Sequence, residues 1–312
     1  MSLDLPALAA AVDAHGDVVR VLVLRTMGST PRERDTAMLL WQGGQAGTIG
    51  GGTLEWEAIT RARAMLREGR RREVETLPLG PALGQCCGGS VSLLLERFTP
   101  DTLPGSLPWA RPLDAGQDRT ARVDARLRDW PPGAPSAEVD GWLIEGAPLP
   151  GRPLWVWGAG HVGHALVEVL GPLPGLAITW ADVAPERFPP LSPRAAPHVT
   201  VLPANDLPRL AAHAPVDAEH LILTMSHDID LALCHALLQR GFTACGLIGS
   251  ATKWKRFRSR LGKLGHTQAE IARIACPIGD PALGKHPQAI AVSVAAALLM
   301  RESATAREGR AG

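Results

Sequence analysis

A glycine-rich segment in the N-terminal third of the chain could bind an anion. Residues 47–53 read Gly-Thr-Ile-Gly-Gly-Gly-Thr and run from a predicted strand into a predicted helix. Backbone N–H groups at such a helix N-terminus attract phosphates and carboxylates. The nearby segment 28–34 carries hydroxyl groups and two arginines, whose guanidinium groups suit bidentate phosphate contacts. Each segment taken singly also reads as an ordinary turn. Together they predict the anion-binding residues Arg32, Gly50, Gly51 and Gly52.

Two adjacent thiols stand in a glycine-flanked loop that reads Gln85-Cys86-Cys87-Gly88-Gly89. Loop N–H groups can stabilise a thiolate. Adjacent cysteines cannot easily point the same way, so one can face a ligand while the other packs as a small apolar residue. A thiolate is a plausible ligand of a soft metal, although no spacing selects a particular one. We predict Gln85, Cys86 and Cys87 as binding residues, with Cys86 or Cys87 as the metal ligand.

The second half of the chain contains a dinucleotide fingerprint in the context that it requires. A predicted strand at 154–157 leads into Gly158-Ala159-Gly160-His161-Val162-Gly163 and then into a helix. Asp182 lies at the end of the next predicted strand, 19 residues after Gly163, where an acid can accept a hydrogen bond from a ribose hydroxyl. Two interpretations stay open: a nucleotide-like ligand, or glycines that only let the strand and helix pack closely. The first predicts the contacts Gly158, Gly160, His161, Gly163 and Asp182.

Further polar groups should reach the same edge of a parallel sheet, because loops that follow its strands meet there. His227 beside Asp228 resembles an acid/base pair, but the aspartate equally suits a helix cap. Lys253 begins a basic stripe on an amphipathic helix, which we interpret as a solvated face; Lys253 itself could reach a phosphate. A rival interpretation is therefore an NAD(P)-dependent oxidoreductase with Asp182 on the ribose and His227 as acid/base. The chain has no tyrosine, which excludes the Tyr/Lys proton-donor scheme of one large reductase class.

Composition excludes several classes of function. The 32 basic and 31 acidic side chains leave a net charge of +1, so no global field draws the chain to nucleic acid or an anionic membrane. Asp4 stands where a secretory signal carries basic residues, and the apolar stretch 289–300 is too short to span a bilayer. The five cysteines are scattered and lack CxxC spacing. We expect a cytoplasmic protein with neither nucleic acid nor membrane as partner.

The pattern of elements predicts an α/β protein of two domains. Residues 1–99 read as a small N-terminal α/β domain, with apolar strands and an amphipathic helix after the glycine run. Prolines are dense over 100–152, which we interpret as a Pro-rich linker, although Thr120–Leu127 and Trp142–Glu145 have strand character. From 153 to 312 strands and helices alternate, which predicts a Rossmann-like, doubly wound parallel sheet.

Five motifs, in this order, resemble the XdhC/CoxI family of xanthine dehydrogenase accessory proteins. They are GSTPRE at 28–33, GTIGGGTLEWE at 47–57, LGQCCGG at 83–89, GAGHVG at 158–163 and IGS at 248–250. The resemblance covers both domains, and the N-terminal motifs are much more specific than the dinucleotide fingerprint. The chain departs from the family pattern at 226–229 and 281–286, which leaves open which domain holds a cofactor.

The resemblance implies a molybdenum cofactor chaperone without turnover of its own. Such a protein binds Mo-molybdopterin, protects it, supports its sulfuration with a cysteine desulfurase, and hands it to the large subunit of xanthine dehydrogenase. It implies a cofactor donor protein as a further partner, and a homodimer. It also implies that Arg32 and Gly50–Gly52 hold the pterin phosphate and that Cys86 or Cys87 lies near molybdenum. A third class of function, a docking or dimerisation scaffold without cofactor, stays open.

Overall fold

The computed structural model describes residues 3–79, 88–192 and 198–311, with side chains up to Arg301. The chain divides into two compact units, Met1–Leu149 and Pro150–Gly312. The predicted fold class is confirmed: a small α/β unit is followed by a Rossmann-like parallel sheet.

The first unit is built on an antiparallel sheet whose central strand is buried on both faces. Its strands are β1 (Val18–Met27), β2 (Ala37–Trp41), β3 (Gly44–Gly47), β4 (Arg72–Pro78) and β5 (Ser90–Phe98), in the spatial order β3-β2-β1-β5-β4. Burial of β1 is continuous from Val18 to Leu24, as its largely apolar run predicts, and it includes Arg20. Val19, Val21 and Val23 join one core cluster, whereas Leu22 and Leu24 join another.

Helices cover the sheet of the first unit. Helix α1 (Leu5–His15) is capped by Asp4, whose carboxylate accepts from the Ala7 N–H at 2.9 Å. Helix α2 (Gly52–Glu68) ends at Gly69, which has the left-handed conformation that glycine adopts without strain. The buried residues of α2 recur at helical spacing and pack on the sheet; they are Leu54, Ala58, Ala62 and Met65. Full burial of each large aliphatic side chain contributes about 1.5–3 kcal/mol.

The structure corrects the interpretation of residues 100–152 as a linker. Residues 100–149 belong to the first unit and contain β6 (Trp109–Pro112), α3 (Ala121–Arg128), β7 (Ala137–Val139) and β8 (Trp142–Glu145). The three strands form a second antiparallel sheet in the order β6-β8-β7, so 142–145 is a strand as expected while 121–128 is helical. Prolines disfavour long elements, but this part of the chain still buries apolar surface, because Leu143 on β8 and Leu113 just after β6 pack against Leu22, Leu24 and Leu94.

A buried ion network ties the two sheets of the first unit together. Glu145 on β8 accepts from both terminal nitrogens of Arg20 on β1, at 2.9 and 2.8 Å, and also from Arg111 on β6. Arg111 Nε donates to Glu96 on β5 at 3.0 Å, and Glu96 in turn accepts from Arg72 on β4 at 2.8 Å. The Arg20–Glu145 pair joins residues that are 125 positions apart in the sequence, so the network closes only in the folded unit.

The second unit is a doubly wound parallel sheet. Its strands are β9 (Arg152–Trp157), β10 (Leu176–Asp182), β11 (Val199–Pro203), β12 (Glu219–Ile222), β13 (Ala244–Leu247) and β14 (Ile274–Ala275). The spatial order is β11-β10-β9-β12-β13-β14, so the direction of winding reverses between β9 and β12. Ligands of such sheets bind at the carboxyl edge near this reversal.

Helices cover both faces of the parallel sheet. They are α4 (His161–Leu170), α5 (Leu207–Ala211), α6 (His227–Arg240), α7 (Ala251–Lys263), α8 (Gln268–Ile271) and α9 (Pro287–Ala311). Residues of α4 and α9 share one core cluster, and residues of α5, α6 and α7 share the other. Among the described helices none has the length and apolar character that crossing a membrane requires.

Candidate functional site

The N-terminal motifs converge in the first unit. A Cβ atom added to Gly89 would lie 2.3 Å from the carbonyl oxygen of Met27 and 2.5 Å from that of Ser29. A Cβ atom on Gly50 would lie 2.6 Å from Cβ of Pro31 and 3.4 Å from Cγ of Arg32. Glycine is therefore required where segment 28–32 meets each of the segments 47–53 and 88–89. Gln85, Cys86 and Cys87, predicted for the same site, lie outside the described residues, and their roles stay predictions.

An internal carboxylate occupies part of the predicted anion loop. Glu55, in the first turn of α2, accepts from the N–H groups of Ile49 at 3.1 Å and Gly51 at 3.0 Å, and from the Thr48 hydroxyl. Burial alone raises the pKa of Glu55, but these hydrogen bonds outweigh burial and hold the pKa below its ordinary value. The loop thus binds a negative charge, as predicted, but the charge belongs to the chain itself.

Some of the predicted anion-binding groups remain available beside Glu55. The Gly50 N–H donates to the Thr48 hydroxyl at 3.1 Å, so it too has a partner within the loop. Helix α2 begins at Gly51 without a side-chain cap from the residues that the structure describes, so within this part of the chain the N–H groups of its first turn are open to an anion. Arg32 is exposed at the same place. An external anion can therefore contact Arg32 and the first turn from Gly52 onward.

We expect Glu55→Gln to tighten the binding of inorganic phosphate roughly fivefold, because it removes a competing negative charge and keeps an oxygen that accepts from the loop. Titration calorimetry of both proteins with phosphate measures the change. Glu57→Gln, two residues further along α2, removes the same charge away from the loop and serves as control. Equal affinities for the two variants would show that the Glu55 carboxylate does not compete with phosphate.

The glycines of the fingerprint in the second unit play different parts. A Cβ atom on Gly158 would lie 2.5 Å from the carbonyl oxygen of Leu223, and one on Gly163 would lie 2.1 Å from that of Gly158. These two glycines allow β9, α4 and the end of β12 to pack closely. By contrast, a Cβ atom on Gly160 would meet nothing within 4 Å. Only Gly160 leaves the space through which a ligand could approach the loop.

Asp182, the predicted ribose acceptor, is 2% exposed and already hydrogen-bonded. One carboxylate oxygen accepts from the Ala159 N–H at 2.6 Å, and the other accepts from the Ala184 N–H and from Arg187, both at 3.1 Å. His161, the first residue of α4, is exposed. Three residues further on, Nε2 of His164 lies 2.8 Å from the carbonyl oxygen of Arg187. Asp182 thus holds the glycine loop in shape, and little of its carboxylate is exposed to a ribose hydroxyl.

His227 and Asp228 do not form the acid/base pair considered from the sequence. Ser226 caps α6 by accepting from the Ile229 N–H at 3.4 Å, so Asp228 is not the cap either. Asp228 is exposed and lies 3.3 Å from Arg260. His227 is exposed, with its ring edge-on to Phe257 at 6.4 Å between centroids. An exposed imidazole without an orienting carboxylate is a poor start for an oxidoreductase site.

Sequence analysis missed the buried ion pair at this edge. Asp230 on α6 is fully buried and accepts from Lys253 on α7 at 2.6 Å, and from the N–H and hydroxyl of Thr224 at 3.0 and 2.7 Å. Lys253 also donates to the Ile248 carbonyl oxygen at 2.9 Å, so its ammonium is committed within the protein. The only signals of this pair in the sequence were an acidic residue, Asp230, among the apolar residues of one predicted helix and a lysine, Lys253, in the first turn of the next predicted helix. No cluster of three or more His, Cys, Asp or Glu side chains suited to a metal occurs in the described parts of the chain.

Comparison with known proteins bears on both units. Residues 154–298 match the family model described as the XdhC Rossmann domain, and residues 11–77 match that of the XdhC and CoxI family. The uncharacterized protein YqeB of Escherichia coli (strain K12) is 25% identical over 285 residues, which are 89% of this chain and 42% of YqeB. The chain therefore spans less than half the length of this curated relative.

A solved structure shares the fold of nearly the whole chain. The protein comes from Bacillus halodurans, and its crystal structure is described as that of a xanthine dehydrogenase. It superposes with a TM-score of 0.67 at 20% sequence identity, over 96% of this chain and 95% of the other. At this level of identity the likeness establishes the fold.

Proposed function

The chain belongs to the XdhC and CoxI family, and on this premise we propose that it is an accessory protein of xanthine dehydrogenase maturation that binds the molybdenum cofactor. In this role it protects Mo-molybdopterin, supports its sulfuration by a cysteine desulfurase and inserts it into the large subunit of xanthine dehydrogenase. A cofactor donor protein would supply it. Binding and release, rather than catalytic turnover, are the activities that we assign.

The convergence of the N-terminal motifs is the observation that carries this proposal. Segment 28–32 is separate in sequence from 47–53 and 88–89, yet glycines let it approach both, because Gly50 lies against Pro31 and Gly89 lies against the backbone of Met27 and Ser29. Packing of one domain does not by itself need glycine at both of these contacts. A shared binding site accounts for both together.

The groups at this place suit the anionic end of a pterin cofactor. Arg32 and the uncapped first turn of α2 would bind the phosphate, with Glu55 limiting how deeply it enters the loop. Cys86 or Cys87 would lie near the metal, with Gln85 beside them. When bound, the cofactor supplies the molybdenum centre on which the target enzyme depends. The chain's own part is to hold and orient it.

The second unit would have a supporting role. Gly160 and His161 leave room for a phosphate at the start of α4, whereas Gly158, Gly163 and Asp182 shape the loop. The rival oxidoreductase lacks support here, because Asp182 is already hydrogen-bonded and His227 has no orienting carboxylate. A cytoplasmic location and a homodimer stay predictions.

The experiment is to mix the purified chain with molybdenum cofactor under anaerobic conditions, remove unbound ligand and quantify retained molybdenum and pterin. Retained cofactor is then offered to cofactor-free xanthine dehydrogenase, and a parallel sample is titrated with NADH. We expect near-stoichiometric retention that activates the enzyme. Saturable NADH binding without cofactor retention would instead favour the oxidoreductase.

Variants assign the site within the same experiment. Arg32→Gln should weaken retention roughly tenfold through loss of a charge-assisted contact, and Cys86→Ala with Cys87→Ala should abolish delivery. Arg128→Gln, which removes an exposed arginine on α3, is the matched control. If the double cysteine variant retains and delivers cofactor as the wild type does, the roles of the two cysteines are wrong.

A further inference from the structure

A cavity of about 540 Å³ opens at the carboxyl ends of β13 and β14 in the second unit. Helix α7 begins after β13 and Cys276 follows β14, so both elements bring side chains to this place. The side chains of interest in its lining are Trp254, Lys255, Arg258, Ser259, Gln268 and Cys276. The volume is that of a site for a small organic molecule.

The cavity is positively charged. None of its described lining residues is acidic, and α7 contains no Asp or Glu at all. Lys255 is exposed, and Arg258 donates to the neutral amide oxygen of Gln268 at 2.9 Å. Two other cations of α7 have acidic partners, Lys253 with Asp230 and Arg260 with Asp228. The two uncompensated cations at the cavity therefore favour an anionic ligand.

The remaining lining is aromatic and uncharged. Trp254 is half-buried and packs against the core of the unit, so its indole forms a fixed part of the wall. Cys276 also packs against that core, and its Sγ lies 3.8 Å from the Gly249 carbonyl oxygen. Burial raises the pKa of the Cys276 thiol to about 11, so at neutral pH the thiol adds no negative charge. An indole wall favours a flat ring system.

We propose that this cavity binds a phosphorylated planar heterocycle such as a nucleoside monophosphate, with the ring against Trp254 and the phosphate between Lys255 and Arg258. Ser259 and Gln268 supply further hydrogen-bonding groups at the wall. The site is separate from the glycine loop, where Asp182 is already hydrogen-bonded. It does not depend on the function proposed above for the first unit.

Titration calorimetry of the full chain with GMP, guanosine and inorganic phosphate tests this site. We expect saturable GMP binding, and weaker binding by roughly tenfold or more for guanosine and for phosphate, because each lacks one of the two recognised groups. Trp254→Phe should weaken GMP binding severalfold and leave phosphate binding unchanged. Guanosine or phosphate binding as tightly as GMP would contradict the proposed recognition.

Matched variants distinguish specific binding in the cavity from a general effect of the positive charge of α7. Lys255→Gln with Arg258→Gln should lower GMP affinity at least tenfold, roughly the effect of two charge-assisted contacts. Arg256→Gln with Lys263→Gln removes the same charge from the same helix outside the cavity and should leave GMP affinity within twofold. Equal losses in both variants, or no saturable GMP binding by the wild type, would overturn the proposal. Molybdenum retention, followed separately with Arg32→Gln, reports on the proposed function and not on this cavity.

Discussion

Replacing Glu145 with glutamine should lower the free energy of unfolding of the first unit by about 3–5 kcal/mol, because it leaves the buried guanidinium group of Arg20 without its counter-charge and leaves Arg111 with Glu96 alone. Glu145 is fully buried between Arg20 and Arg111, and water cannot replace the lost carboxylate. Hydrogen exchange of β5 and β8 amides in increasing urea measures the change in that unit alone. Glu138→Gln, which breaks the more exposed pair with Arg25, is the control and should cost under about 1 kcal/mol.

The same residue predicts how stability of the first unit depends on acid. Burial by itself would raise the pKa of Glu145, but the charges of Arg20 and Arg111 outweigh burial and lower the pKa to about 2. A carboxyl whose pKa is lower in the folded state stabilises the fold above its unfolded pKa of about 4.3. That contribution should fall as the pH drops from about 4.5 toward 2. Glu145→Gln should lack this part of the acid dependence, and an identical pH profile would contradict the network's role.

Gly163→Ala should destabilise the second unit by about 3 kcal/mol, at the upper end of the usual range for overpacking. The added Cβ would lie 2.1 Å from the Gly158 carbonyl oxygen and 3.2 Å from Leu223 Cδ1. The first contact is with backbone, so no side-chain rotation relieves it and α4 must move away from β9. Chemical denaturation followed by hydrogen exchange of β9 measures the loss.

Gly160→Ala is the matched variant in the same loop. A Cβ atom there meets nothing within 4 Å and the residue has φ −89°, so stability should stay within about 0.5 kcal/mol of the wild type. Its effect on retention of the molybdenum cofactor distinguishes the two interpretations of the fingerprint, a ligand-binding loop and a loop whose glycines only allow close packing. A stable Gly160→Ala protein that retains less ligand would indicate a phosphate at the loop. Unchanged retention would assign the glycines to packing alone.

Short-range patterns in the sequence were enough to predict the elements around each site. The apolar run of β1, the helical spacing of Leu54, Ala58 and Met65, and the strand-turn-helix context of Gly158–Gly163 all agree with the structure. These features depend on residues within one or two turns of each other, where backbone geometry and side-chain period act directly. The prediction of a linker over 100–152 was wrong, because a high density of prolines limits the length of helices and strands but does not prevent short ones from packing.

The sequence by itself therefore determined an α/β protein, the alternation of strands and helices in its second unit, and the segments that carry glycine and arginine. Only the tertiary structure decided which polar groups are already bonded within the protein and which remain available to a ligand. Glu55 takes N–H groups of the anion loop, Asp182 takes the Ala159 N–H, and Lys253 pairs with Asp230. Burying a charged group without a partner costs free energy, so each buried charge is paired in the folded protein. Packing between segments that are distant in the sequence determines the partner, and spacing along the chain does not reveal it.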